Sequence, residues 1–179
     1  MAITPINKEV LERDLNFLRD HKVRYGLGAK APEKPFFRDP KADLSSIKAI
    51  DCSGIVRLFL YRATGGKLVI PDGSWNQRQW FEDYANNHAK EMHEIRDYSL
   101  INRYMTEKRL FICFIKPWTN GCGKVGHVWL TSEIDGDRVA DTLESHGGKN
   151  GGPDSRDWNA SVLRKQFYSG FELPVELVK

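Results

Sequence analysis

Asp51-Cys52-Ser53-Gly54-Ile55-Val56-Arg57-Leu58-Phe59-Leu60-Tyr61-Arg62 is the stretch that decides the fold. A capping aspartate followed by a nearly unbroken apolar run predicts a helix that starts at Asp51. Ile55, Leu58, Phe59 and Arg62 fall on one side of it, and Val56 and Leu60 widen the apolar face. Such a helix is buried over most of its surface. Gly65-Gly66 stop it. Cys52 takes the first helical position, where unpaired backbone N–H groups and the helix dipole favour a thiolate, the nucleophilic form of cysteine. Position alone fits a buried small residue equally well. Gly54 lets another chain segment come close to the helix end.

Upstream, residues 5–22 read as an amphipathic helix with Thr4 as cap and Pro5 in the first turn. Leu11, Leu15 and Leu18 keep helical spacing. Tyr25-Gly26-Leu27-Gly28 ends this helix, and residues 29–50, with Pro32, Pro35 and Pro40, read as a long loop. Residues 74–108 are helical or irregular. The second half changes character. Residues 110–115 form an apolar strand closed by Pro117, residues 127–134 a second, and residues 138–146 a third after the turn signal Asp135-Gly136-Asp137. The glycine-rich run 147–152 reads as a flexible rim, 162–168 as a short strand or helix, and 171–178 as a last strand. Helices followed by antiparallel strands give an α+β fold, N-terminal helices packed on an antiparallel sheet. No linker or repeat divides residues 1–179, so one domain is expected.

A nucleophilic cysteine needs a base. His127 opens a strand after Thr119-Asn120-Gly121-Cys122-Gly123, at a sheet end that can face a helix start. A base of this kind needs a third group to hold its other ring nitrogen. If 127–134 and 138–146 form a hairpin, Glu144 and His146 both project beside His127, because strand side chains alternate. A carboxylate would stabilise the imidazolium more strongly than a neutral imidazole. Asn159-Ala160-Ser161 matches a glycosylation acceptor by chance.

The formal net charge is +3, with charges interleaved rather than clustered, which argues against nucleic acid as a partner. No run approaches the roughly 18 apolar residues of a membrane span. Residues 1–20 carry Lys8, Glu9, Glu12, Arg13 and Asp14, so no secretory signal is read there. The cysteines Cys52, Cys113 and Cys122 are odd in number and make no disulfide scaffold. They also lack partners for a four-ligand zinc site, and neither metal nor cofactor is expected.

Asp51-Cys52-Ser53-Gly54 before an apolar helix resembles the nucleophile motif of the NlpC/P60 family. Gly126-His127-Val128 resembles that family's catalytic-histidine strand, and Tyr25-Gly26-Leu27-Gly28 its preceding tyrosine-glycine motif. Pro71-Asp72-Gly73-Ser74 with Gln77 is similar to a segment that follows the nucleophile. The resemblance runs from about Tyr25 to Gly148. It implies a papain-like fold and a cysteine peptidase that cuts peptidoglycan stem peptides, often between D-glutamate and a diamino acid. It implies that Cys52 attacks the carbonyl, His127 moves protons, Tyr25 helps hold the oxyanion, and Asp51 and Ser53 bind the free amine of the stem. The third position overlays Leu143-Glu144-Ser145, which favours Glu144 and leaves His146 at the rim, touching substrate or nothing. By analogy with compact hydrolases of this kind, the chain is made in the cytoplasm. It then reaches the wall through a phage particle or a secretion apparatus. A related amidase or acyltransferase, or an inactive wall-binding module, are the alternatives. Three features depart from the family pattern. The segment between Ser74 and His127 is long, Asp72 stands where a basic residue is common, and Lys108-Arg109-Leu110 replaces a glycine-aspartate pair.

Overall fold

The computed structural model describes residues 2–105, 109–117, 123, 126–133, 140–157 and 163–176. The expected turn at 135–137, the start of the third strand at 138, the loop at 119–122 with Cys122, Lys108 and the sequon at 159–161 lie outside these residues.

Helix α1 (Lys8–Asp20) begins one turn later than the proline suggests. Its cap is Asn7, whose side chain accepts from the amides of Glu9 and Val10, and not Thr4. The reason lies at the other end of the chain. Ile6 is drawn into a parallel bridge with Val175, its amide donating to Pro174 O at 2.8 Å while Glu176 N donates to Ile6 O at 2.9 Å. Residues 29–50 are not wholly irregular: a short helical turn α2 (Glu33–Phe36) and a 3-10 turn (Leu44–Ser46) interrupt them. Phe36 and Leu44 bury there, so these turns serve as anchors.

Helix α3 (Cys52–Ala63) is the central helix, and every residue but Arg57 is buried. Helix α4 (Ser74–Asn87), strand β1 (Glu94–Ile95) and helix α5 (Ser99–Met105) follow. The remaining strands are β2 (Leu110–Ile115), β3 (Val128–Ser132), β4 (Asp141–His146), β5 (Gly152–Asp154) and β6 (Phe167–Leu173), with helix α6 (Leu163–Gln166) leading into the last. The sheet has the order β1-β6-β2-β3-β4-β5, and each neighbouring pair is antiparallel. β2 reads Leu-Phe-Ile-Cys-Phe-Ile and is buried at every position, as a central strand covered on both faces must be. α3 packs on β3 and β4, and Phe81 of α4 stacks on Phe171 of β6 with ring centroids 5.9 Å apart.

Two expectations about the end of the chain need correction. The last strand spans Phe167–Leu173 instead of 171–178, because Pro174 has no amide to extend the ladder and Val175 turns to Ile6. The glycine-rich run is not simply a rim. Gly152, Pro153 and Asp154 pair with His146, Ser145 and Glu144, which makes β5 an edge strand.

A buried ion pair joins the first helix to the central one. Arg62 Nε donates to Asp14 Oδ2 at 2.6 Å and Arg62 Nη1 donates to Ala42 O at 2.8 Å; both side chains are nearly inaccessible. Removing one partner strands the other charge in the core. Asp14→Ala should therefore lower stability to urea by about 3–5 kcal/mol. A loss under about 1 kcal/mol in equilibrium denaturation, the level of exposed pairs, would contradict this.

Candidate active site

The start of α3 is held by an unusually dense set of donors. Asp51, the N-cap, accepts from Gly54 N at 2.7 Å. It also accepts from Gly28 N at 3.2 Å and from the Lys30 ammonium at 2.7 Å on Oδ1 and 2.6 Å on Oδ2. Its own amide donates to Ala29 O at 2.9 Å. The segment 26–30 is thus strapped across the helix start. Gly54 has to be glycine: a Cβ there would lie 2.9 Å from Asp51 Oδ1 and 3.2 Å from Ala29 O. Gln77 of α4 donates to Ser53 O at 2.9 Å and to Pro71 O at 3.0 Å, locking α4 to the same end.

Cys52 therefore sits on a fixed helix terminus, buried but at the edge of the core. The first amides of α3 have no intrahelical acceptor and point out past it. Tyr25 lies beside it. Burial raises the Tyr25 phenol above its ordinary range, and the negative charges of Cys52 and Asp51 push it further. The phenol stays protonated and able to donate.

On the sheet side, His127 precedes β3 and is only 13 % exposed. The strand starts at Val128, one residue later than expected, and His127 O accepts from Ile115 N. The imidazole stacks on Trp129, ring centroids 5.6 Å apart. Its Nε2 faces Glu144 Oε1 at 3.2 Å, and Cys52 lies close enough to act on the ring. Burial alone would lower the His127 pKa. The interactions with Cys52 and Glu144 outweigh it and raise the value to about 9. Glu144 is fully buried in β4. Burial would raise its pKa, but His127, Arg156 and Thr142 hold it at about 2.

Arg156 is the residue that sequence reasoning missed. It grips Glu144 with Nε to Oε2 at 3.2 Å and Nη2 to Oε1 at 2.7 Å. Its amide donates to Thr142 Oγ1 at 3.0 Å. Only the pairing of β4 with β5 brings it there, and reading 147–152 as a rim hid that pairing. Ser145, next to Glu144, donates to Ile50 O at 2.7 Å and so clamps β4 to the residue two before Cys52. His146 is separate from this group. It bonds Asp154 Oδ2 at 3.2 Å and Gly147 O at 2.9 Å, and makes no bond to His127. Ser53 and Asp51, the pair implied to take a substrate amine, both contact Lys30, whose Nζ donates to Ser53 Oγ at 2.6 Å. Cys113 is wholly buried against Thr131, and burial pushes its thiol up to about 12, an inert state. Among the described residues, no cluster of three or more His, Cys, Asp or Glu suits a metal ion, and no helix is long and apolar enough to cross a membrane.

No protein-family model and no curated protein sequence matches the chain. Solved structures do. A protein from Staphylococcus aureus described as similar to a lipoprotein of the NLP/P60 family superposes with a TM-score of 0.50 at 16% identity. That alignment covers 99% of this chain, which spans 45% of the length of the other. The P60 domain of an antigen from Mycobacterium avium subspecies paratuberculosis gives 0.44 at 17% identity, over 93% of this chain and 98% of that one. An NlpC/P60 endopeptidase from Photobacterium damselae gives 0.37 at 14% identity, over 76% and 36%.

The ionisation of the His127–Glu144 pair makes stability depend on pH. The share from His127 is complete below its unfolded value near 6.5 and is lost as pH rises through about 9. The share from Glu144 is complete above its unfolded value near 4.5 and is lost as pH falls through about 2. Both are whole between about pH 4.5 and 6.5. The imidazole NMR signals of His127 should titrate near 9 and move down by about one unit or more in Glu144→Gln. An unchanged midpoint in that variant would show that Glu144 does not support the imidazolium.

Proposed function

We propose that this chain, which has the α+β, papain-like fold of NlpC/P60 proteins, belongs to that family and is a cysteine peptidase acting on peptidoglycan stem peptides. One observation carries the proposal: His127 is bonded through Nε2 to a buried ionised Glu144 and lies within interaction range of Cys52, which sits on a helix N-terminus. An imidazolium beside a helix-start thiolate is the resting state of a nucleophile–base pair.

The steps follow from that placement. Cys52 Sγ attacks the substrate carbonyl carbon. The new oxyanion is met by the amides at the start of α3 and by the Tyr25 hydroxyl. His127 gives its proton to the leaving amine nitrogen as the C–N bond breaks, which leaves a thioester on Cys52. It then takes a proton from water, whose oxygen attacks the thioester; the C–S bond breaks, the acid product leaves, and the Cys52 thiolate and protonated His127 are restored. Glu144 keeps the ring oriented throughout, with Arg156 and Thr142 fixing the carboxylate. The likeness of Asp51-Cys52-Ser53-Gly54 and Gly126-His127-Val128 to the NlpC/P60 motifs supports peptidoglycan as the substrate class. Action on the wall after delivery from the cytoplasm, by a phage particle or secretion apparatus, goes with this reading.

Purified peptidoglycan incubated with the protein should yield new peptide ends by mass spectrometry, and those ends identify the bond. Cys52→Ala should abolish their release with the circular dichroism spectrum unchanged, whereas Cys113→Ala should keep it. EDTA should have no effect, and a thiol alkylator should stop the reaction. Release of the same ends by Cys52→Ala would sink the proposal. Glu144→Ala should cut turnover by about ten- to a thousandfold, while His146→Ala changes it little. The reverse pattern would exchange their roles.

A further inference from the structure

Asp51 and Ser53 flank Cys52 on either side in sequence, and both are buried. Their oxygens converge on a single cation, the ammonium of Lys30. Its Nζ lies 2.7 and 2.6 Å from the two Asp51 oxygens and 2.6 Å from Ser53 Oγ. A carboxylate and a hydroxyl gathered around one ammonium at these distances form a cation seat. The occupant is not a loose surface side chain. Ala29, its neighbour in the chain, accepts from Asp51 N at 2.9 Å and donates to Gly26 O at 2.9 Å, and Gly28 N donates to Asp51 Oδ2. Gly28 takes a φ of +78°, which turns the strap so that Lys30 reaches back over the helix start. The Lys30 side chain stays 28 % exposed, so the seat opens toward solvent beside the nucleophile.

We propose that Lys30 is a specificity-determining residue that fills the ammonium seat beside Cys52 from within the chain, so that the protein acts on stem peptides whose amino end is acylated rather than free. The inference rests on the peptidase reading above and sharpens its substrate class. A substrate with a free amino-terminal ammonium has to displace Lys30 or lie against its charge. An acylated amino end, as in a stem still joined to its glycan, brings no charge and meets no such competitor. In a chain without this lysine, the same Asp51 and Ser53 would reward a free amine.

The test compares one synthetic stem peptide, L-Ala-γ-D-Glu-L-Lys, with its N-acetyl form. The wild-type protein should cleave the acetylated peptide with a kcat/KM at least equal to that of the free amine. In Lys30→Met the ratio should swing toward the free amine by about tenfold or more, chiefly through a lower KM for that peptide. Lys30→Arg, which keeps a cation on the strap, should preserve the wild-type preference. A merely structural lysine would lower both rates together and leave the ratio in place. If the wild-type protein cleaves neither peptide and releases no ends from peptidoglycan, the peptidase reading fails by itself. Calorimetric binding of the two peptides to Cys52→Ala then reads the same preference. A wild-type preference for the free amine, a ratio unmoved by Lys30→Met, or binding of neither peptide would overturn the proposal. The wild-type comparison stands even if Lys30→Met does not fold.

Discussion

The carboxylate of Asp51 organises this molecule. It caps the helix that carries Cys52, receives the amide of Gly28, and takes the ammonium of Lys30. Its backbone adds a further bond to Ala29. A helix of twelve residues that is apolar almost all round gains its stability from burial, but burial alone does not fix where it starts. Asp51 fixes that point. With the start fixed, the thiol of Cys52 has a definite position relative to the sheet.

The sheet must then bring its own chemistry to that point, and it does so through register. Leu130 pairs with Leu143 and Thr131 with Thr142. In this register Glu144 comes opposite Trp129, two residues along the same face from His127, and its Oε1 reaches His127 Nε2 on the diagonal. A slip of one residue would turn Glu144 to the other face and bring a neighbour in its place. Two side chains oppose such a slip. Ser145 donates to Ile50 O across the helix–sheet interface, and Arg156 holds both oxygens of Glu144 from the following segment. His127, Glu144 and Cys52 thus come from three separate parts of the chain, drawn together by bonds between distant segments.

Much of this was legible in the sequence. The Asp51 cap, the buried helix and the alternating face that carries both Glu144 and His146 each follow from a local rule about caps, apolar faces or strand alternation. What was not legible depends on contacts between distant segments. Asn7 replaces Thr4 as the first cap because Ile6 pairs with Val175, a partner 169 positions away, and no local pattern announces that. Arg156 stayed hidden because glycine-rich runs read as loops, and here that run bends into an edge strand. Lys30 escaped notice for the same reason. A lysine in a proline-rich stretch looks like a solvated charge until the Gly26–Ala29 turn brings it over a buried carboxylate. Between the two strand candidates, alternation could not choose. In the structure Glu144 is fully covered and meets His127, while His146 keeps part of its surface in solvent and bonds Asp154 instead.

The parallel bridge between Ile6 and Val175 also has a mechanical side. Because the entering and leaving segments run in the same direction, tension applied near the two ends pulls them past each other along their length. The bonds from Ile6 N to Pro174 O and from Glu176 N to Ile6 O are then loaded together, in shear, instead of being peeled one at a time. Parallel pairing slants these bonds along the strand axis, so they lie partly along the line of pull. Resistance to such a force is set by how fast the clasp opens, not by the overall folding equilibrium. The two hydrogen bonds at Ile6 therefore act as the catch that strain must release before α1 and the sheet can be drawn apart.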